Sequence, residues 1–513
     1  MSDAAAAATG AEGDTDGAGA TADTAPVRRW LGRWPAGPTG AGHPVRQAGG
    51  WRLGAVGLAV LGLLVGTLVL FGASLTVALH STQSYHFNLN WTAAFRDALA
   101  AGELYPRWLP SMWGGAGGPD FFFYAPMPYF LAAGLGGLAG APDWQALALA
   151  GWAMHAAAAL GMLHLGHRLG LGLWPALAMA AVYSVLPYHL IVWNERGALG
   201  EAAACVALAP AVAATIDTLG RGRGHWRLTL SVAFLGLSHL PALLIAATGC
   251  GAVALAMWRQ WTPARVAAAG LAAILGLGLA AVYWVPAVAL MDSVQADVML
   301  TYSWREHLLQ PASFDASAFL DRILMLALAL TLLAVAMLAL LWPRAGRLAE
   351  GTPDTPAPVA ATPVGAATVG ALLVGTAILL MSPLATLLWA ATPLERIQFP
   401  WRFLLLTDLG VAVLAGAGVA AFRAAGAWRR AGLGLAALAL GGIALAGQAR
   451  VLTHGPKAPL YPALLELRSG PPEWLGADRG FFTATTLLAP ARRAATPQPH
   501  GTPPRPRRPA PRR

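Results

Sequence analysis

Stretches such as 54–78, 145–166, 199–219 and 265–289 run for about twenty residues with few charges, the length at which a helix crosses the roughly 30 Å hydrocarbon core of a bilayer. Within lipid a backbone must satisfy its own N–H and C=O groups, and continuous apolar runs do so as helices. Charged residues make up only 11% of the 513-residue chain and hydrophobic ones 57%, against roughly 25% charged in a soluble protein. A soluble enzyme, a disordered chain and a coiled coil are excluded. The expected fold is all-α: a polytopic membrane bundle of about eleven spans, the others being 172–192, 228–239, 241–258, 318–342, 364–381, 402–421 and 431–449.

Two stretches leave the path open. The piece 125–141 carries Pro126, Pro128 and four glycines and is a poor helix former. It either crosses or dips in and returns, and the arginines of Arg221, Arg223 and Arg227 favour the second, which puts them in the cytoplasm. The stretch 228–258 would be roughly 46 Å long as one helix and is interrupted by Pro241, so two short crossings or a hairpin fit better. Arg28, Arg29, Arg33, Arg46 and Arg52 precede the first span, which places the N-terminus in the cytoplasm and the C-terminus outside. The domain plan is a disordered cytoplasmic tail (1–52), a membrane domain (53–450) and an external, largely disordered Pro/Arg-rich tail (451–513). The N-terminal segment has no apolar stretch behind a basic start, so it is no cleavable signal peptide.

The net charge of +10 is not a nucleic-acid signal, because eleven of the 34 basic residues lie from Arg450 onward and most others flank apolar runs. Cys205 and Cys250 both fall in apolar runs and form neither a disulfide framework nor a metal cluster. There is no Walker loop, no His-Glu-x-x-His pair and no zinc spacing, and the glycines 114–118 follow no strand.

Most residues that can carry chemistry fall in the loops placed outside. The first loop, His80 to Tyr124, contains an apolar repeat at Trp91, Ala94, Phe95, Ala98 and Leu99, with Asn90, Thr92, Arg96 and Asp97 on the other face. This spacing predicts an amphipathic helix lying in the membrane interface. The same loop supplies His86, Arg107, Trp108 and Tyr124. Arg196 and Glu201 stand at the outer ends of two spans, as either a working carboxylate–guanidinium pair or a snorkelling ion pair. His239 sits where the helix breaks before Pro241, and irregular backbone at membrane depth is tolerated where it lines a cavity. Gln398 to Arg402 opens the span that holds Asp408, an intramembrane acid that is either functional or snorkels toward Arg402. Asp292, Asp297, Trp304, Arg305, Glu306 and His307 share another outer loop with no diagnostic spacing.

The order of several short motifs resembles a bacterial family of integral membrane proteins labelled "6-pyruvoyl-tetrahydropterin synthase-related domain", itself similar to GT-C glycosyltransferases and YfhO-like membrane proteins. The motifs are Gly102, Leu104, Tyr105, Pro106, Arg107 and Trp108; Phe122, Phe123, Tyr124, Pro126 and Tyr129; Arg196, Gly197 and Glu201; Ser238 and His239; and Gln398, Phe399, Pro400, Trp401 and Arg402. They extend over roughly residues 80–410. The pterin label does not transfer as an activity, since pterin synthases are small soluble zinc enzymes with a histidine triad.

The resemblance implies a GT-C-like membrane glycosyltransferase on the external face of the bacterial cytoplasmic membrane. Its donor would be a polyprenyl-phosphate-linked sugar and its acceptor an envelope glycan or protein. Glu201, with His86 and His239, would be catalytic. Arg107, Trp108, Tyr124, Arg196, Gln398 and Arg402 would bind substrate, and a divalent metal ion is a possible cofactor. The sequence departs at the first-loop acid, for Ser81 to His86 contains no carboxylate. The alternatives are therefore a catalytically degenerate scaffold that binds lipid or a partner, and a transporter working through His239 and Asp408.

Overall fold

The computed structural model describes residues 53–76, 84–112, 115–293, 303–314, 317–349 and 363–422. Regular structure among them is helical: α1 (Leu53–Thr76), α2 (Tyr85–Ala100), α3 (Asp120–Phe123), α4 (Met127–Ala139), α5 (Asp143–Arg168), α6 (Leu173–Val185), α7 (Pro187–Asn194), α8 (Leu199–Arg221), α9 (His225–Ser238), α10 (Leu240–Ala256), α11 (Pro263–Ala289), α12 (Ala318–Ala349), α13 (Pro363–Met381), α14 (Thr386–Ala391) and α15 (Leu404–Phe422). Short 3₁₀ turns join the last of these, and the one β contact described is an isolated bridge between Leu109 and Gly118.

Six of these segments are long and apolar enough to cross a membrane, or up to eight when the bent pairs α6–α7 and α13–α14 each count as one span. The chain is a multi-pass helical membrane protein. Of the eleven expected spans, 228–239 and 241–258 correspond to the shorter α9 and α10, and 431–449 lies outside the described residues, as do the two tails. α8 and α15 are enclosed by the bundle, whereas α1 and α11 present exposed leucines and valines along most of their length, a surface suited to lipid.

The polar residues sort to the two ends of α8. Asp217, near its C-terminus, is 1% exposed and pairs with Arg168 at 2.5 Å, Arg221 at 2.5 Å and Arg227 at 3.6 Å. Exposed Trp174, Trp226, Trp258 and Trp261 occur in the segments next to these arginines. Glu201 lies sixteen residues earlier, about 24 Å along the helix.

α9 and α10 form a hairpin. The start of α9 lies at the basic end, where Gly224 packs on Asp217. The end of α10 returns there, with Met257 and Gln260 against Gly220. The hairpin tip, Ser238–His239, reaches Gly200, where a Cβ would stand 2.8 Å from the Ser238 carbonyl. Pro241 sits in the first turn of α10, where its missing N–H costs nothing, and His239 Nδ1 accepts from the Ala242 N–H at 3.1 Å as that helix's cap.

α4 runs alongside α2. The Tyr129 hydroxyl, in its first turn, donates to Asn88 Oδ1, and the Ala141 carbonyl just past its end accepts from Arg96 Nη1. α2 itself corrects one expectation. Its apolar stripe meets protein, with Phe95 against Phe121 (4.7 Å between ring centroids) and Phe130 (4.9 Å). Thr92, assigned to the polar face, is fully buried. The aromatics of α3 and α4 supply the apolar surface that the sequence alone assigned to lipid.

α13 and α15 approach closely through glycine. A Cβ on Gly410 would lie 2.7 Å from the Gly370 carbonyl and 2.6 Å from Val374 Cγ2, whereas one on Gly270 meets nothing within 4 Å. Gly410→Ala should therefore lower the melting temperature of the detergent-purified protein, overpacking costing about 1–3 kcal/mol. Gly270→Ala should leave it unchanged or raise it, by up to about 1 kcal/mol from helix propensity. Equal melting temperatures for the two variants would contradict the packing.

Candidate functional site

The break between α6 and α7 builds half of the site. Pro187 forces Leu186 into extended backbone (φ −63°, ψ 139°), and the chain bends by 43° there. α7 then carries Tyr188 in its first turn and ends just before Arg196, whose backbone N–H folds back onto the Ile191 carbonyl at 2.9 Å. Gly197 supplies the left-handed turn (φ 58°) that sends the chain into α8. Glu201, in the first turn of α8, thereby faces both ends of α7.

Both oxygens of Glu201 are engaged. Oε1 accepts from the Tyr188 hydroxyl at 2.6 Å and Oε2 from Arg196 Nη1 at 2.6 Å, with Arg402 Nε 3.8 Å from Oε2. The carboxylate is 1% exposed, Arg196 7% and Arg402 12% at their side chains. Arg196 also stacks over the Trp401 ring at 4.7 Å. Although burial disfavours its charge, Glu201 outweighs that and holds the Arg196 pKa above its ordinary value. Arg402 is fixed by the Ile397 carbonyl at 2.6 Å and by the Phe399 ring at 4.9 Å. That carbonyl precedes Gln398, which has φ 66°, the one non-glycine among the described residues in the left-handed region, a strained conformation of the kind stored at working sites.

Three more groups complete the surroundings. His239 is close enough to Glu201 and both arginines to feel their charges, and with Nδ1 accepting from Ala242 its neutral ring carries the proton on Nε2. Tyr124, 4.4 Å from Trp91 between ring centroids, senses Arg402 and Arg196, but burial dominates and keeps its hydroxyl protonated above the usual range. Arg196 Nε, Arg402 Nε, Trp401 Nε1 and Ser238 Oγ are buried with no hydrogen-bond partner among the described residues. Two guanidiniums and one carboxylate leave a net charge of +1.

Of the residues expected from sequence, Tyr124, Arg196, Glu201, His239 and Arg402 converge here, with Gln398 supporting Arg402. Others stand elsewhere. His86, in α2, lies against Phe87 with the rings tilted by 40° (3.9 Å between centroids). Arg107 donates to the Val282 carbonyl in α11 at 2.9 Å and lies over Tyr105. Trp108 is 44% exposed and covers Gly117. The side-chain partners described for Glu201 are Tyr188, Arg196 and Arg402. Asp408 does not snorkel to Arg402; its Oδ2 accepts the His189 backbone N–H at 2.8 Å. The pair on which a transporter reading rested, His239 and Asp408, is thus engaged in capping two broken helices.

Two residues were missed. Tyr188 sits in an apolar run and carried no signal beyond its neighbour Pro187. Asp120 was visible in the glycine-rich part of the first loop, but nothing in its spacing marked it as buried. It is 1% exposed, and neither oxygen has a hydrogen-bond partner among the described residues. Burial pushes its pKa up to about 7; the Trp91 indole N–H is near enough to favour the carboxylate slightly but does not reach hydrogen-bond geometry. A divalent metal does not suit Glu201, whose oxygens face two guanidiniums, and no group of three metal-ligating side chains occurs among the described residues.

The Asp120 shift has a signed consequence. The folded protein holds this proton up to about pH 7, while the unfolded chain releases it near pH 3.9. Stability from this group is therefore greatest below the unfolded value and falls as pH rises to about 7. Asp120→Asn should raise the melting temperature at pH 8, with the gain shrinking toward pH 4. A gain independent of pH would contradict the buried acid.

No protein-family model matches the chain, and no curated protein matches it. Among solved structures it is similar to the single-particle cryo-EM structure of the arabinofuranosyltransferase AftD from Mycobacteria, at 17% identity and a TM-score of 0.47. The match covers 80% of this chain and 28% of that one, so the chain spans little more than a quarter of AftD's length.

Proposed function

We propose that this chain is a GT-C-like membrane glycosyltransferase that takes a polyprenyl-phosphate-linked sugar at the external face of the bacterial cytoplasmic membrane and transfers it to an envelope glycan or protein. The observation that carries this reading is the surplus of buried donors around Glu201, with its net positive charge. Buried donors without partners are costly, and a phosphate brings the negative charge and acceptor oxygens that they lack. The exposed apolar flanks of the bundle suit a lipid-borne donor. The arginine-rich end at Asp217 belongs in the cytoplasm by the positive-inside rule, which puts Glu201 outside, with a cytoplasmic N-terminus and an external C-terminus on about eleven spans.

In this reading Arg196 and Arg402 grip the phosphate, His239 and Tyr124 offer further donors, and Glu201 holds the guanidiniums in register. An acceptor hydroxyl oxygen bonds to the sugar's anomeric carbon as the bond from that carbon to the phosphate oxygen breaks. Polyprenyl phosphate leaves with the electron pair, its growing charge met by the two arginines. We assign the hydroxyl proton to Asp120, whose charge is felt at Tyr124 together with those of Arg402 and Arg196, and whose proton affinity lies near neutrality, where a base works best.

The test uses the full chain in nanodiscs with a radiolabelled polyprenyl-phosphate sugar. Arg402→Gln should weaken donor binding about 10- to 100-fold, the worth of a charge-assisted hydrogen bond of about 1.5–3 kcal/mol. Arg107→Gln, whose guanidinium is engaged by Val282, should weaken it less. Asp120→Asn should bind the donor but lose turnover. No donor binding by the wild type would sink the proposal, and binding without any transfer would favour the non-catalytic lipid-binding scaffold.

A further inference from the structure

Asp408 lies on α15, about 9 Å beyond Arg402 along the chain direction of the helix, 1% exposed and among apolar neighbours. Its one described hydrogen bond is to the backbone N–H of His189, at 2.8 Å. His189 is the third residue of α7, the position whose N–H an N-cap side chain normally accepts. The N-cap here is Leu186, which has no acceptor, and Pro187 brings no N–H of its own. The Asp408 oxygen thus does for α7 what a serine or aspartate at Leu186 would do, from a residue 219 positions away. The His189 ring is wedged between His155 (4.3 Å) and Tyr183 (4.5 Å), which seats the same turn.

What hangs on this turn is the site. The residue before His189 is Tyr188, whose hydroxyl reaches Glu201, and the far end of the eight-residue α7 leads directly to Arg196, the other donor to Glu201. We infer that Asp408 is a positioning residue: by capping α7 from α15 as a hydrogen-bond acceptor it sets where Tyr188 and Arg196 stand on Glu201. Its link to transfer rests on the reading of the site given above, whereas its structural action does not.

The experiment places 3-fluorotyrosine at position 188 of the full chain in nanodiscs and records its ¹⁹F resonance in the wild type, Asp408→Asn and Asp408→Leu. Asparagine keeps an acceptor oxygen, so its resonance should coincide with that of the wild type; leucine has none, and its resonance should move toward that of free fluorotyrosine. Polyprenyl-phosphate binding, measured on the same samples, should weaken at least tenfold in Asp408→Leu alone. A wild-type resonance in Asp408→Leu would overturn the proposal. So would a displaced one in Asp408→Asn, the near-isosteric variant, which decides the matter if the leucine variant does not fold. Absence of lipid binding by the wild type would instead count against the site reading and leave the resonances to decide the role of Asp408.

Discussion

A carboxylate buried among helices of a membrane bundle is tolerable only with cationic and hydrogen-bonding partners, and the arrangement around Glu201 follows from that constraint. Its two oxygens draw in Tyr188 and Arg196 from opposite ends of one short helix and Arg402 from the entry to another. Removing one partner of such a buried pair costs about 3–5 kcal/mol, because the other charge is stranded. The breaks in the bundle, at Pro187, at Pro241 and around Gln398, all lie close to this group, where irregular backbone is lined by protein.

The same constraint separates the two ends of the bundle. At one, three arginines close on Asp217, which leaves no acidic group there unpaired and ties α5, α8 and α9 together. At the other, the Arg196 and Arg402 side chains are only 7% and 12% exposed, and several N–H groups are buried with no partner among the described residues. The arginines around Asp217 are 20–31% exposed at their side chains, so water can meet most of their remaining donors and the network serves as a structural lock. One that leaves donors over is suited to an anionic ligand, which is the physical basis for assigning the second end to the lipid phosphate.

Much of this was legible in the sequence. The apolar runs marked the long helices, and Arg196, Glu201, His239 and Arg402 stood out as charged or titratable groups where apolar runs end or break. Several things were not. The aromatic stripe of α2 looks the same whether lipid or protein covers it, and only the fold brings Phe121, Tyr129 and Phe130 over it. Arg107 reads as a substrate-binding cation on a par with Arg196 and Arg402 until Val282, 175 residues away, is seen to accept its hydrogen bond. Asp408 reads as either a functional intramembrane acid or one snorkelling toward Arg402 until the turn at His189 is beside it. In each case the deciding partner is distant in sequence, and neither periodicity nor local motif encodes it.

The central claim is that the cluster around Glu201 is an anion site for a lipid-borne phosphate. It is tested most directly by a cryo-EM structure of the full chain in nanodiscs supplied with polyprenyl phosphate. The account predicts phosphate density between the Arg196 and Arg402 guanidiniums, within hydrogen-bond distance of both, with the isoprenoid chain leading out between helices. Phosphate bound at the arginines around Asp217, with the Glu201 cluster unchanged and empty, would contradict it.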